Sequence, residues 1–154
     1  GETSFWRAWE KNDYRFGDYG LANRRAFYDW GIKKYGSREN LAAVWGQPDI
    51  SRENVKLPTP MKRELHWSGN AEFFRAAADN QICIDYEKFT SDMNVRAISH
   101  FAKIVKEETD KGVGAFYGYY LNVPRAAYAG HLGLDKLLEN PDIDFLASPK
   151  GYKY

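Results

Sequence analysis

The sequence predicts an α/β fold that is rich in helices and arranges β/α units around a parallel sheet. Amphipathic helical segments precede short apolar runs, and the order helix, strand, helix, strand occupies the second half of the chain. The 154 residues have room for about five units of the roughly 31 residues used by a full barrel, yet they contain two clear strands. This count fits either an incomplete portion of a TIM-type β/α barrel or a smaller α/β domain with long helical connections.

The first half of the chain predicts two helices. A periodic segment over residues 19–35 begins after Asp18, a favourable N-cap residue, and ends at the next glycine. Ser37 begins a second, shorter helix that runs to Trp45 and ends in a Gly-containing stretch. Residues 46–70 follow as a long connection punctuated by prolines.

The second half predicts the β/α units. Residues 71–111 form a helix with a break near Asn80, and apolar residues recur in it at spacings of three and four. The residues expected to pack on a sheet are Phe89, Met93, Ala97, Phe101 and Val105. Residues 113–121 predict a buried parallel strand, residues 130–139 a short helix, and residues 142–148 a second strand.

Composition narrows the function classes. The chain has 22 Lys and Arg against 21 Asp and Glu, so the formal charge of +1 gives no electrostatic argument for nucleic acid or an anionic membrane. Apolar runs are too short to cross a bilayer, and a single cysteine, Cys83, rules out an internal disulfide or a zinc–thiolate cluster. The histidines lack zinc-ligand spacing and no dinucleotide or phosphate loop is present, so we expect no metal and no cofactor.

Aromatic content is the unusual feature of the composition. Five Trp, 11 Tyr and nine Phe make up 16% of the chain. Flat apolar rings with polar edges suit sugar rings and stacked bases, and the near-zero net charge favours sugars. Packing in the core is the alternative use of these side chains.

Three segments together resemble bacterial β-galactosidases of glycoside hydrolase family 42 and their relatives. The first is similar to the pattern F-x-x-W-x-x-x-K-Y-G-S followed by L-x-x-x-W-G, and the other two are similar to a strand-helix-strand passage of the same enzymes. The segments are residues 27–30, 34–37, 40–41 and 43–46, then residues 113–119, then residues 130–132 and 140–149. The resemblance extends from about Asp18 to Tyr152.

The resemblance implies a helix-rich, incomplete portion of a TIM-type barrel, with residues 1–154 as a single domain that covers roughly strands four to six. It implies retaining hydrolysis of glycosidic bonds on a carbohydrate substrate, in the bacterial cytoplasm or after secretion. The family's nucleophile glutamate has no counterpart on this mapping, so activity of the isolated chain stays open. A barrel cut between strands also predicts self-association or the remainder of a longer polypeptide. A non-catalytic carbohydrate-binding or interaction protein is the alternative.

Two residues take catalytic roles by this resemblance. Glu2 stands where the family has its acid/base glutamate, and the aromatic residues that follow it would raise its pKa as that role requires. An exposed terminal glutamate is the alternative. Tyr152 lies just beyond the sixth strand, where related enzymes keep a tyrosine that hydrogen-bonds the nucleophile.

The remaining candidates surround the predicted fifth strand. Tyr117 and Tyr119 fall on one side of that strand, where they line a sugar pocket or belong to the core. Asn122 follows the same strand, and Trp6 stacks on a sugar ring or packs under a loop. His131, at a helix start, is expected to cap the helix or lie at the surface.

Overall fold

The computed structural model describes residues 19–59, 77–118 and 130–148, and of residues 77–79 it describes the backbone only. Its elements in chain order are α1 (Leu21–Tyr35), α2 (Arg38–Trp45), α3 (Ala77–Glu108), β1 (Gly114–Phe116), α4 (Leu134–Leu138) and β2 (Phe145–Ala147). The described residues divide into two compact units, the first ending at Phe89 and the second beginning at Thr90.

Local signals define the ends of α1 and α2. Gly36 ends α1 in the left-handed conformation, with φ of 80°, which glycine adopts without the steric penalty of a Cβ atom. Ser37 caps α2, because its hydroxyl accepts a hydrogen bond from the Asn40 amide at 3.1 Å. The predicted Asp18 cap is wrong: the N-cap of α1 is Gly20, whose extended backbone places the helix start later, and Asp18 lies outside the described residues.

Aromatic rings form the centre of the first unit. The Phe27 ring is fully buried, stacks on Trp45 at 4.2 Å and meets the edge of Tyr86 at 5.2 Å. Ile50 and Val55 from the connection after α2 complete this core, and the described part of that connection contains no strand. The first unit therefore buries its apolar side chains between helices and irregular chain rather than against a sheet.

A two-stranded parallel sheet organises the second unit. β1 and β2 pair in the register Gly114 to Phe145 and Phe116 to Ala147, which places one short strand inside each predicted segment and confirms their parallel direction. Residues 119–121 of the first predicted segment lie outside the described residues. One face of the sheet packs on a core made of Val95, Ile98, Tyr117, Leu137, Ala115, Leu134, Ile143 and Leu146. The other face carries Phe116 and Phe145, which are 48% and 59% exposed. The expectation that the first strand is buried is therefore wrong.

α3 buries a different face from the predicted one. The helix runs without a break through Asn80, and in the second unit it turns Val95, Ile98 and Ala102 inward. Phe89 is buried among the aromatic rings of the first unit, but Phe101 is 65% exposed and Val105 is also exposed, so the predicted packing of that stripe on a sheet is wrong. Both stripes repeat at helical spacing, and the core selects the one that faces Tyr117 and its neighbours.

The predicted fold class is also wrong. The described residues are mainly helical, and their sheet consists of two strands of three residues each, which is not a portion of a TIM-type barrel. A barrel strand needs hydrogen-bonded neighbours on both sides, whereas helix packing holds the first unit together. No helix in the described ranges combines the length and hydropathy required to cross a bilayer.

Candidate functional site at the strand ends

The carboxyl ends of β1 and β2 adjoin, because the two strands run in parallel and in register. The Tyr117 amide extends the pairing by donating to the Ala147 carbonyl at 2.9 Å. Gly118 follows with φ of 84°, and Ser148 is the residue directly after β2. The Ser148 hydroxyl donates to the Gly118 carbonyl and so links the two chain segments that leave the sheet. This edge is where parallel α/β arrangements bind their ligands.

Of the two positions predicted for Tyr117, a sugar pocket or the core, the structure shows the core. Its side chain is 1% exposed, and its hydroxyl donates to the Gly130 carbonyl at 3.2 Å and accepts from the Gly133 amide at 2.9 Å. Burial raises the pKa of Tyr117 to about 12, although the Gly133 amide acts in the opposite direction. The hydroxyl therefore stays protonated at neutral pH and joins the strand end to the segment before α4.

His131 is buried, so the expectation of a surface or capping role is wrong. Its side chain is 4% exposed, and its ring stacks on Tyr117 with centroids 4.2 Å apart and an interplanar angle of 26°. The Gly118 amide donates to His131 Nδ1 at 3.1 Å. Since a hydrogen-bond acceptor cannot carry a proton at the accepting atom, the neutral ring bears its proton on Nε2.

Gly133 allows the segment before α4 to approach α3 closely. A Cβ atom at this position would lie 2.7 Å from Val95 Cγ2 and 3.4 Å from the Tyr117 hydroxyl. Asn94 Nδ2 donates to the Gly130 carbonyl at 3.2 Å, and Ser91 Oγ accepts from the Leu132 amide at 3.1 Å. Residues 130–133 are thus held by side chains of α3, which fixes His131 beside the strand end.

A second polar cluster lies inside the first unit, around Asp85. This carboxylate is fully buried and accepts four hydrogen bonds. Lys34 Nζ and Gln81 Nε2 donate to Oδ1, the latter at 2.8 Å, while the Tyr35 hydroxyl and Trp45 Nε1 donate to Oδ2, the latter at 2.9 Å. Each carboxylate oxygen therefore has two donors, which is the arrangement expected of a buried structural charge.

The electrostatics of this cluster favour the ionised carboxylate. Burial raises the pKa of Asp85, but the hydrogen bonds from Lys34, Trp45, Tyr35 and Gln81 together outweigh it and hold the pKa below its ordinary value. The pKa of Lys34 is raised: burial lowers it, and the hydrogen bonds to Asp85 and Tyr35 more than compensate. The lowered pKa of Asp85 and the raised pKa of Lys34 agree, because each favours the charged form of its group. The pair is therefore a stable ion pair and not a group that exchanges a proton near neutral pH.

Three residues from the first part of the family resemblance, Lys34, Tyr35 and Trp45, donate to this carboxylate. Phe27 lies between Trp30, at 6.1 Å, and Trp45, at 4.2 Å between ring centroids. Lys34 Nζ lies 5.2 Å from the centroid of Trp30 and 4.9 Å from that of Tyr35. The motif is therefore accounted for by the packing of one helical unit, and none of these contacts requires a ligand.

Sequence reasoning missed both buried polar groups. Asp85 lies in the apolar stretch of residues 82–86, and a carboxylate within such a stretch signals burial with partners. The partners themselves come from residues 34–45 and carry no signal of their pairing with α3. His131 carries one weak signal, since two glycines flank it within two positions and allow tight packing around the ring.

Five predicted site residues lie outside the described residues: Glu2, Trp6, Tyr119, Asn122 and Tyr152. Within the described ranges, no group of three or more His, Cys, Asp or Glu side chains is arranged to hold a metal ion. Comparison with protein-family models, with curated proteins and with solved structures gives no match for this chain.

Proposed function

We propose that the chain contributes to an enzyme that hydrolyses glycosidic bonds with retention of configuration, with β-galactosides as the substrate class. The observation that supports this proposal is the pairing of residues 114–116 with residues 145–147. Both strands come from segments that resemble the β-galactosidases, and their carboxyl ends adjoin. A sugar bound at this edge would lie next to the chain that continues from each strand.

The proposed sugar contacts follow these strand ends in the sequence. Tyr119 and Asn122 come soon after β1 and offer a hydroxyl and an amide to sugar hydroxyl groups. Tyr152 follows β2 and, as the resemblance implies, hydrogen-bonds the nucleophile. Trp6 supplies a ring face for stacking. The buried Tyr117–His131 pair supports the edge from behind and does not itself touch substrate.

The chemical step requires two carboxyl groups. In retaining glycosidases these groups lie about 5–5.5 Å apart, one protonated as the acid and the other ionised as the nucleophile. Glu2 is the proposed acid/base residue. The family's nucleophile has no counterpart in this sequence, so the 154 residues alone would bind the sugar and turn it over slowly, because the covalent step is missing.

Amide NMR with methyl β-D-galactopyranoside tests the binding site. We expect the sugar to shift the Gly118 and Ser148 amides. The Tyr119→Phe variant should raise the Kd severalfold, by about the value of one neutral hydrogen bond. Tyr28→Phe is the matched control, because it removes the same group from a partly buried tyrosine of α1 in the first unit. Unshifted strand-end amides, or equal effects of the two variants, would contradict the proposal.

A nitrophenyl β-galactoside assay tests the reaction. We expect background turnover by the 154-residue chain and strong turnover when the nucleophile is supplied by a longer form of the protein. Strong turnover by the chain alone that is lost in Glu2→Gln would show that both carboxyl groups lie within this sequence. Sugar binding without turnover in every longer form would support the carbohydrate-binding alternative instead.

Self-association through the open face of the sheet is the second part of the proposal. Phe116 and Phe145 share the open face of the sheet, and Leu138 in the same unit is 70% exposed. Large apolar groups clustered at a surface favour association. We expect light scattering to show a mass above 17.8 kDa that falls in the double variant Phe116→Ser, Phe145→Ser. Leu21→Ser, at an exposed position in the first unit, is the control. A monodisperse monomer would refute this part.

A further inference from the structure

The Gly118 peptide group is fixed at both ends by side chains. Its N–H donates to His131 Nδ1 at 3.1 Å, and its carbonyl accepts a hydrogen bond from the Ser148 hydroxyl. The backbone at Gly118 is left-handed, with φ of 84°, so the chain turns here directly after β1. The direction in which the chain leaves the strand therefore depends on these two hydrogen bonds.

The bond to His131 exists in one protonation state of the ring. Nδ1 accepts through its lone pair, and protonation replaces that lone pair with an N–H donor. Two donors would then face each other at a position where the ring is 4% exposed, and the buried Gly118 amide would lose its partner. Asparagine or serine could hold such an amide at any pH, whereas histidine holds it only when neutral.

Charged groups on the neighbouring elements act on the ring in both directions. Asp92 on α3 and Asp135 on α4 act electrostatically on Tyr117, against which the ring stacks. A nearby carboxylate favours a cationic imidazole, whereas burial of the ring favours the neutral form. Lys136 on α4 pairs with Asp92 and reduces the effect of that carboxylate. The Tyr117 hydroxyl is neutral throughout the range in which histidine titrates.

We infer that His131 is a pH-dependent positioning residue: its neutral ring holds the turn after β1, and protonation of the ring releases that turn. The side chain acts through the Gly118 amide and not on a substrate. The inference goes beyond the proposed glycosidase function and does not depend on it, because it concerns the conformation of the strand end whatever ligand binds there.

NMR on the 154-residue chain between pH 8 and pH 4 tests this inference. We expect the protection factor of the Gly118 amide, corrected for intrinsic exchange, to fall at least about tenfold as the pH is lowered. The midpoint should coincide with the change in the ¹⁵N shift of His131 Nδ1. If His131 only fills space in the core, the protection of the Gly118 amide should not change at the pH where the His131 ring titrates.

Two substitutions separate the hydrogen bond from the packing. His131→Gln retains an acceptor that does not titrate, so Gly118 should stay protected across the pH range. His131→Phe retains an aromatic ring without an acceptor, so protection should be low at every pH. His100→Gln replaces an exposed histidine of α3 and should leave the step unchanged.

Three results would overturn the inference. The first is a step in Gly118 protection that persists in His131→Gln. The second is titration of His131 without a change at Gly118. The third is a His131 ring that stays neutral down to the pH at which the chain unfolds. Each of these results is read from the wild-type chain or from the glutamine variant and is independent of sugar binding.

Discussion

Replacing Asp85 by asparagine tests whether the buried carboxylate organises the first unit. The substitution keeps the shape of the side chain and exchanges one acceptor oxygen for an NH₂ donor. The amide nitrogen would take the place of Oδ1, opposite Lys34 and Gln81, or of Oδ2, opposite Tyr35 and Trp45. In either orientation two donors lose their acceptor and face another donor.

The loss of unfolding free energy in Asp85→Asn depends on which of the four donors can reach water once they lose their acceptor. Trp45 is 6% exposed, so an unpaired indole N–H there is the costlier result, and the amide nitrogen should settle opposite Lys34 and Gln81. Losing the charge-assisted bond from Lys34 destabilises by about 1.5–3 kcal/mol, and an unpaired Gln81 amide adds about 1–3 kcal/mol. The sum is about 2.5–6 kcal/mol, which brackets the 3–5 kcal/mol lost when one partner of a buried ion pair is removed. That is a large fraction of the 5–15 kcal/mol that stabilises most domains.

Urea unfolding followed by tryptophan fluorescence measures this change, since Trp45 contacts Asp85 directly. Asp29→Asn is the matched control, because Asp29 also accepts hydrogen bonds from a cationic side chain, three from Arg52, but is half exposed at the surface of α1. We expect the control to leave the midpoint nearly unchanged. If Asp85→Asn loses no more stability than Asp29→Asn, the reasoning that the carboxylate holds this unit together is refuted.

The same carboxylate gives the first unit a defined acid dependence. Hydrogen bonds outweigh the effect of burial and hold the pKa of Asp85 below its ordinary value of 3.8. A lowered pKa contributes stability that is fully present above 3.8 and is lost as the pH falls through the folded-state value. The wild-type chain should therefore lose stability in this acidic range, and Asp85→Asn should lose less over the same interval.

Three further predictions use the same unfolding assay. Phe27→Ala should lower the free energy of unfolding by about 3–5 kcal/mol, because the ring is fully buried. Phe101→Ala should change it by less than about 1 kcal/mol, because that ring is 65% exposed. Equal effects of the two substitutions would contradict the exposed position of Phe101 on α3. Gly31→Ala should destabilise by about 1–3 kcal/mol, since its new Cβ would lie 2.6 Å from Trp45 Cη2, and a neutral result would mean that this indole is free to move. Tyr117→Phe should destabilise by about 1–3 kcal/mol through its unpaired backbone partners, and an unchanged midpoint would show that water replaces the hydroxyl.

The parts of the fold that sequence reasoning predicted depend on local chemistry. Gly36 and Ser37 define helix ends through hydrogen bonds within a few residues, so their roles are visible in the sequence. The two strand segments were predicted because a short apolar run after a long helix is a local pattern as well. Their parallel pairing follows from the helix that separates them.

The parts that could not be predicted depend on contacts between distant residues. On α3, the stripe containing Phe101 and the stripe containing Ile98 both repeat at helical spacings of three or four, and burial is decided by what packs against the helix. Asp85 meets Lys34 across 51 positions of sequence, and His131 meets Gly118 across 13. The residue pattern within one segment of the sequence does not specify which distant residue it will contact. For this reason the sequence predicts a portion of a barrel where the described residues contain a two-stranded sheet, and it predicts a surface position for the buried His131.

The position of Cys83 gives the first unit an internal reporter. It is the single cysteine of the chain, it is fully buried, and it stands two residues before Asp85 on the same helix. A thiol reagent can reach it only when this part of α3 opens, so the labelling rate in native buffer measures the free energy of that opening. Labelling of a wild-type and an Asp85→Asn chain would thus separate local opening of α3 from global unfolding without an engineered cysteine.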